Sequence, residues 1–167
     1  MGAGKTTIAA AVHDLLAERG AHSGYVDADV LCQAEPHAES DRFNQRLLFA
    51  NLAAIAPNYR AAGYGFMVLP RVVEDAEDRN RYAHAFTDAD AGAAEVAIVR
   101  VDAPEAVRLD RLTAREPEGY WRDHSHARTV ELDAILRELD GDDAVVDNAG
   151  DRDRLTVAAE VLEAAGW

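Results

Sequence analysis

Gly2-Ala3-Gly4-Lys5-Thr6-Thr7, directly after the first residue, is the most informative segment of the chain for its fold. Lys5 is the single lysine of the chain, although 17 of its 167 residues are lysine or arginine. Glycines let backbone N–H groups turn around phosphate oxygens without a Cβ in the way. A lysine supplies a point charge to the β- and γ-phosphates, and a threonine hydroxyl is a ligand for Mg²⁺. The stretch therefore predicts a loop that binds ATP through Gly2, Ala3, Gly4, Lys5, Thr6 and Thr7, with Thr6 as the metal ligand.

This stretch matches the second half of the P-loop pattern G-x-x-x-x-G-K-[ST]. Gly4, Lys5 and Thr6 fill three of its four fixed positions, whereas the first glycine would lie before Met1. The strand that normally leads into such a loop would also lie there. We therefore expect that the native protein starts upstream and that Met1 is an internal methionine. A glycine-rich helix start with an incidental lysine is the alternative interpretation.

Composition limits the classes of partner. The formal net charge of −14 and the pI of about 4.7 disfavour nucleic acids and anionic membrane surfaces. The sequence has no signal peptide and no apolar run of membrane-spanning length. Cys32 is the only cysteine, which excludes an internal disulfide and suits a reducing cytoplasm. We expect a cytoplasmic monomer or homodimer, and the frequent Ala, Arg, Asp and Val suggest a bacterial source.

Hydrophobic periodicity predicts helices and strands in alternation along the chain. Helices are expected over 6–19, 41–62, 74–87, 104–115, 128–139 and 151–165, with a kink or break at Pro57. Strands are expected over 23–30, 65–69, 95–101 and 144–147, and a loop over 116–127. This order predicts an α/β fold in three layers, α/β/α, around a parallel sheet, in a single domain over 1–167.

The whole chain resembles the small P-loop kinases, which include the shikimate, gluconate and adenylylsulfate kinases and the chloramphenicol phosphotransferase-like group. The C-terminal half looks closest to uncharacterised bacterial ATPase- or kinase-like members. The resemblance is carried by the loop, by Asp27-x-Asp29, by Arg111-Leu-x-x-Arg115-Glu116, by Glu131-Leu132 and by Val145-Val146-Asp147-Asn148. It implies a P-loop NTPase fold with strand order 2-3-1-4-5, in which the central first strand precedes Met1. It also implies a mobile lid at about 116–128.

Two carboxylates follow the first visible strand. Asp27 and Asp29 lie two residues apart, so on a strand their side chains would project from one face. The resemblance implies that Asp27 ligates Mg²⁺, that Asp27 and Asp29 both bind the substrate, and that Asp29 acts as general base. Which of the two is the base stays open, and two aspartates in a turn are the structural alternative.

Arginines supply the positive charge that Lys5 alone does not. Arg108, Arg111 and Arg115 are spaced for one helix face. By resemblance, Arg111 and Arg115 are catalytic, Arg111 also contacts the nucleotide, and Arg122 is a weaker third that reaches the substrate. Ion pairing on an acidic surface is the alternative for each of them.

Three further positions complete the expected site. Arg71 follows the strand at 65–69 and could reach an anionic or hydroxylated acceptor. Asn148 lies after the last strand, in the region that contacts adenine in related kinases, largely through its backbone. Tyr120 and Trp121 are expected to form an aromatic pair in the lid that packs on nucleotide or substrate, and simple anchoring of the loop is the alternative.

The resulting prediction is an ATP- and Mg²⁺-dependent phosphotransferase that moves the γ-phosphate of ATP to a hydroxyl group of a small molecule. The alternative is a catalytically impaired nucleotide-binding or regulatory protein that acts through a partner, as the incomplete P-loop suggests. The sequence does not identify the acceptor.

Overall fold

Helices and strands alternate in the structure, a computed structural model that describes residues 1–87, 92–150 and 152–167. Within these residues the helices are α1 Lys5–Glu18, α2 Ala28–Leu31, α3 Gln45–Ala61, α4 Asp78–Ala85, α5 Glu105–Arg115, α6 Tyr120–Leu139 and α7 Arg154–Ala164. The strands are β1 Ser23–Tyr25, β2 Phe66–Val68, β3 Val99–Asp102 and β4 Ala144–Asp147. No helix of the described residues is both long and apolar enough to cross a lipid bilayer.

The contacts divide the chain into two units. The first comprises Met1–Val12, Glu74–Ala76 and Ala97–Trp167, and the second comprises His13–Val73 and Glu77–Val96. The single-domain assignment stays a prediction.

In the first unit, β3 pairs in parallel with β4, and helices cover the pair. The register joins Val99 to Ala144 and Asp102 to Asp147. Helix α7 packs on both strands, and α5 packs on α6. The buried apolar side chains of this unit include Ala3, Ile8, Ala11, Leu112, Leu132, Val146, Val157 and Leu162.

In the second unit, β1 pairs in parallel with β2, from Ser23 opposite Phe66 to Tyr25 opposite Val68. The connection between the two strands contains α2 and α3, as parallel strands require a long crossover. Helix α3 packs against α2 and α4. The core of this unit consists of Ala28, Cys32, Leu48, Leu52, Tyr82 and Ala85.

The parallel α/β architecture confirms the predicted fold class. In the order 2-3-1-4-5, strand 2 pairs with strand 3 and strand 4 with strand 5. The described strands form two separate parallel pairs, β1 with β2 and β3 with β4, and the complete strand order stays a prediction.

The predicted strand over 23–30 is wrong beyond Tyr25. Asp27 caps α2, because its Oδ1 accepts the Asp29 N–H at 3.0 Å. An aspartate in this position satisfies a backbone donor that a helix start leaves without a partner, so it favours a turn over a strand. Asp27 and Asp29 therefore do not lie on one strand face: the first is a cap, and the second lies in the first turn of a helix.

The predicted loop over 116–127 is wrong from Tyr120 onwards, where α6 begins. Gly119, with φ of 135°, lies directly before this start. Apolar periodicity misses residues 120–127 of the helix because the one buried side chain among them, that of Ser125, is polar. Only residues 116–119 of the expected lid lie outside helices.

Other helix boundaries differ by a few residues for local reasons. The carboxylate of Asp41 accepts the N–H groups of Gln45 (2.7 Å) and Arg46 (3.1 Å), so α3 begins at Gln45 rather than at 41. The helix continues through Pro57, so the expected break does not occur, although an interior proline removes one intrahelical hydrogen bond and crowds the preceding turn. Helix α4 occupies only 78–85 of the expected 74–87, and β3 begins at Val99 rather than at 95. Helix α7 begins after Asp153, whose side chain accepts the N–H groups of Leu155 and Thr156.

Candidate functional site

The loop before α1 has the backbone of an anion-binding turn. Gly2 and Gly4 have positive φ values of 75° and 93°, which disfavour any other residue. Helix α1 starts at Lys5 and runs for 14 residues, with Thr6 and Thr7 exposed in its first turn. The first turn contains no acidic side chain. The N–H groups and positive dipole end of such a helix favour a bound anion, and Lys5 adds a full charge.

Neighbouring groups also leave no room for a side chain at Gly2 or Gly4. A Cβ on Gly2 would lie 2.5 Å from the backbone oxygen of Arg108 in α5. A Cβ on Gly4 would lie 2.6 Å from Nδ2 of Asn148, which follows β4. The loop is therefore packed against α5 on one side and against the turn after β4 on the other.

Asn148 holds this loop with its side chain. Its Nδ2 donates to the carbonyl of Ala3 at 2.7 Å, and both residues are buried. The Asn148 N–H donates to the carbonyl of Asp102 at 2.6 Å, since β3 and β4 are parallel and end at the same edge. The Asn148 carbonyl accepts from Arg111. The backbone contact to adenine that was predicted for Asn148 remains untested, but both backbone groups already have protein partners.

Arg111 is directed at the turn after β4. Its Nη2 donates to the carbonyl of Asn148 at 2.9 Å and lies 3.4 Å from that of Gly150. Its Nη1 is buried and makes no hydrogen bond within the part of the chain that the structure describes. One end of this guanidinium thus fixes the turn, and the other retains its donor capacity.

The remaining predicted arginines of this unit form local ion pairs. Arg115 contacts Glu116 at 2.5 Å, and Arg122 contacts Glu118 at 3.2 Å. The pKa of Glu116 is lowered, chiefly by the hydrogen bond from Arg115. Tyr120 and Trp121 are exposed, and their rings meet edge to face at 5.2 Å. The pairing of these two rings agrees with the expectation, whereas a role for them in binding stays a prediction.

Arg108 and Arg128 have structural partners that the sequence did not indicate. Arg108 is 7% exposed and makes two hydrogen bonds of 2.5 Å to the carboxylate of Asp133 in α6. Hydrogen bonding between the two side chains raises the pKa of Arg108 and lowers that of Asp133. Arg128 is buried between Glu74 and Glu131. Partners 25 and 54 residues away in sequence leave no local signal.

In the second unit, the carboxyl ends of β1 and β2 bring together three predicted residues. Asp27 and Asp29 follow β1, and Arg71 follows β2; parallel pairing places these strand ends at one edge. Arg71 Nη1 lies 2.6 Å from Oδ1 of Asp29, whose side chain is 57% exposed. The same nitrogen lies 3.2 Å from the Cys32 thiol.

The charge of Arg71 is maintained by its neighbours. Burial opposes the charge, Cys32 and Asp29 favour it, and the net effect is a raised pKa of Arg71. The cluster therefore combines an exposed carboxylate with a guanidinium whose side chain is only 10% exposed. The contact with Cys32 was missed, because the cysteine lies 39 residues away in sequence.

The two residues that were predicted to bind Mg²⁺, Thr6 and Asp27, would do so through side-chain oxygen atoms. The Thr6 hydroxyl is exposed, and one oxygen of Asp27 is engaged in its helix cap. The described residues contain no group of three or more His, Cys, Asp or Glu side chains that could hold a metal. Mg²⁺ commonly binds through one or two protein oxygens together with phosphates and water, so the hydroxyl of Thr6 and the carboxylate of Asp27 are each suitable ligand types.

Comparison with known proteins bears on the fold. No protein-family model matches the chain, and no curated protein is significantly similar to it. A solved structure of similar fold is that of the APS kinase CysC of Mycobacterium tuberculosis in complex with AMPPNP and APS. The alignment has a TM-score of 0.60 and covers 99% of this chain and 92% of that chain.

The chain shares the fold of this APS kinase. Sequence identity between the two is 23%, so the likeness shows the fold alone. It does not select among the shikimate, gluconate and chloramphenicol phosphotransferase-like groups. The position of the loop before the first helix agrees with this fold.

Proposed function

We propose that this protein is an ATP-dependent phosphotransferase that moves the γ-phosphate of ATP to a hydroxyl group of a small molecule. The observation that carries the proposal is the loop with positive-φ Gly2 and Gly4 that leads into α1, with Lys5 and Thr6 in the first turn. The APS kinase of similar fold was solved with AMPPNP, which supports an adenine nucleotide as the ligand here.

The phosphate groups are assigned to the loop. Backbone N–H groups of the loop and the first turn of α1 hold the phosphates, and Lys5 neutralises the β- and γ-phosphates. Mg²⁺, held by Thr6 and through water by Asp27, would withdraw charge from the transferring group. Arg111 and Arg115, with Arg122 on the substrate side, are the proposed sources of further positive charge.

The acceptor is assigned to the Asp29–Arg71 pair. A general base must accept the proton of the attacking hydroxyl, and a carboxylate that is 57% exposed is accessible for this. Arg71 orients the carboxylate through one oxygen and offers a charge to an anionic group of the acceptor. We further propose a cytoplasmic monomer or homodimer that binds neither nucleic acid nor membranes.

The proposal is tested by thermal unfolding with and without ATP and Mg²⁺. A ligand that binds only the folded state raises the midpoint, and about 100 Kd of ligand adds about 2.7 kcal/mol. We expect a rise for the wild type and none for Lys5→Ala. Arg154→Ala is the matched control, because Arg154 is an exposed cation in the first turn of another helix, α7; it should keep the rise.

Turnover is then measured as loss of ATP in a screen of hydroxyl acceptors. Asp29→Asn should lower turnover strongly and leave ATP binding unchanged. Wild-type turnover in Lys5→Ala would refute the proposal. ATP binding without transfer to any acceptor would instead favour a regulatory nucleotide-binding protein.

A further inference from the structure

We propose that Asn148 is a positioning residue of the phosphate-binding loop, which orients the peptide between Ala3 and Gly4 so that the Gly4 N–H serves the phosphates. This inference rests on the proposed function, because it assigns a further residue to the nucleotide site. It concerns the side chain of Asn148, in contrast to a backbone contact with the base.

The orientation follows from peptide geometry. The carbonyl of Ala3 accepts a 2.7 Å hydrogen bond from Nδ2 of Asn148. The Ala3–Gly4 peptide is trans, and in a trans peptide the C=O and the following N–H point in opposite directions. With the carbonyl held by Asn148, the Gly4 N–H is turned away from Asn148. A peptide flip would exchange them and present a carbonyl oxygen where the loop needs a donor.

Asn148 is itself held in place from two sides. Its N–H donates to the carbonyl at the end of β3, that of Asp102, at 2.6 Å. Its carbonyl accepts from Arg111 in α5 at 2.9 Å. A side chain that is 8% exposed and anchored at both backbone groups has little freedom to follow a moving loop. The loop peptide must therefore adapt to Asn148.

The contact also demands these residue types. A Cβ on Gly4 would lie 2.6 Å from Nδ2, so glycine leaves the space that the amide occupies. Only an amide offers an N–H donor in the volume of asparagine. Aspartate has the same shape but no donor, so its carboxylate would lie against the Ala3 carbonyl and repel it.

The test compares Asn148→Asp with Asn51→Asp. Asn51 is the matched control, because its Nδ2 also donates to a backbone carbonyl, that of Leu31, at 2.7 Å, in the second unit. Titration of each full-length protein with ATP and Mg²⁺ gives Kd, and thermal unfolding without ligand gives the stability of each variant. We expect Kd to rise about tenfold or more in Asn148→Asp and to stay within about twofold in Asn51→Asp.

Amide hydrogen exchange without nucleotide provides a second readout. We expect faster exchange or shifted amide resonances at Gly4 and Lys5 in Asn148→Asp but not in Asn51→Asp. If the folded Asn148→Asp variant binds ATP like the wild type, or if these amides do not change, the positioning role is wrong. If the wild type itself binds no ATP, the proposed function fails, and the exchange data alone decide whether Asn148 orients the peptide.

Discussion

At the scale of single residues, the loop glycines combine two requirements that are usually separate. Positive φ is needed for the turn, and the absence of a Cβ is needed for the close approach of neighbouring groups. Gly20, at the end of α1, has nearly the same φ of 74° as Gly2, with 75°. No described atom lies within 4 Å of a Cβ built on Gly20. A comparison of substitutions at Gly2 and Gly20 therefore separates the energetic cost of the backbone conformation from the cost of steric crowding.

We expect Gly2→Ala to destabilise the protein more than Gly20→Ala. Alanine in the left-handed region costs about 1 kcal/mol at either position. At Gly2 the Cβ would also lie 2.5 Å from a backbone oxygen, that of Arg108, which cannot move without shifting α5. An additional loss of about 1–3 kcal/mol follows. Urea unfolding measures both values, and equal losses would show that the loop rearranges freely.

At the scale of elements, an ion pair joins α5 to α6. Arg108 and Asp133 form a bidentate ion pair, and their side chains are 8% and 17% exposed. Asp102 lies 3.6 Å from the same guanidinium. The pair fixes two helices that precede and follow the turn at residues 116–119. Removing Asp133 leaves the buried guanidinium with Asp102, at 3.6 Å, as its remaining close carboxylate, and such a loss costs more than the pair itself contributes.

We expect Asp133→Asn to lower the free energy of unfolding by about 3 kcal/mol at neutral pH. Glu118→Gln is the control, since Glu118 is 88% exposed in its pair with Arg122 and such pairs contribute about 0–1 kcal/mol. The pKa of Asp133 is lowered by the hydrogen bond from Arg108, so its stabilisation is present above the unfolded pKa of about 3.9. It is lost as the pH falls through the folded pKa. The difference between wild type and Asp133→Asn should therefore shrink in acid. A constant difference in denaturant unfolding down to that range would contradict this assignment.

At the scale of the whole molecule, the charge is strongly unbalanced. The formal net charge is −14, with 31 acidic residues against 17 basic ones. Several of the arginines are engaged in ion pairs, including Arg71, Arg108, Arg115, Arg122 and Arg128. The excess carboxylates repel one another, and this repulsion opposes the compact state.

We expect added NaCl to raise the thermal midpoint. The Debye length falls from about 30 Å at 0.01 M to about 8 Å at 0.15 M, which screens the repulsion among exposed carboxylates. The buried Arg108–Asp133 pair is screened much less. Calorimetry at constant pH over this range measures the shift. A midpoint that falls with salt would show that attractive pairs outweigh the net repulsion.

Sequence alone was enough to predict the glycine-rich turn before α1, the alternation of helices and strands and the parallel class of the fold. These are local signals: Gly2 to Thr6 is contiguous, and each element shows its own period. Local sequence signals were less reliable predictors of element boundaries where polar side chains replace the apolar pattern. Asp27 ends a strand by capping a helix, and the buried face of α6 carries Ser125 and Thr129.

The contacts that hold the candidate residues became known from the three-dimensional structure. Asn148 reaches Ala3 across 145 positions in sequence, Arg71 reaches Asp29 across 42, and Arg108 reaches Asp133 across 25. Such contacts depend on which strand ends meet and which helices pack together, and neither depends on the neighbouring residues alone. The residue types of the loop are therefore readable from a contiguous segment. The hydrogen bond from Asn148 to the Ala3 carbonyl is not, because a hydrogen bond requires proximity in space and not along the chain.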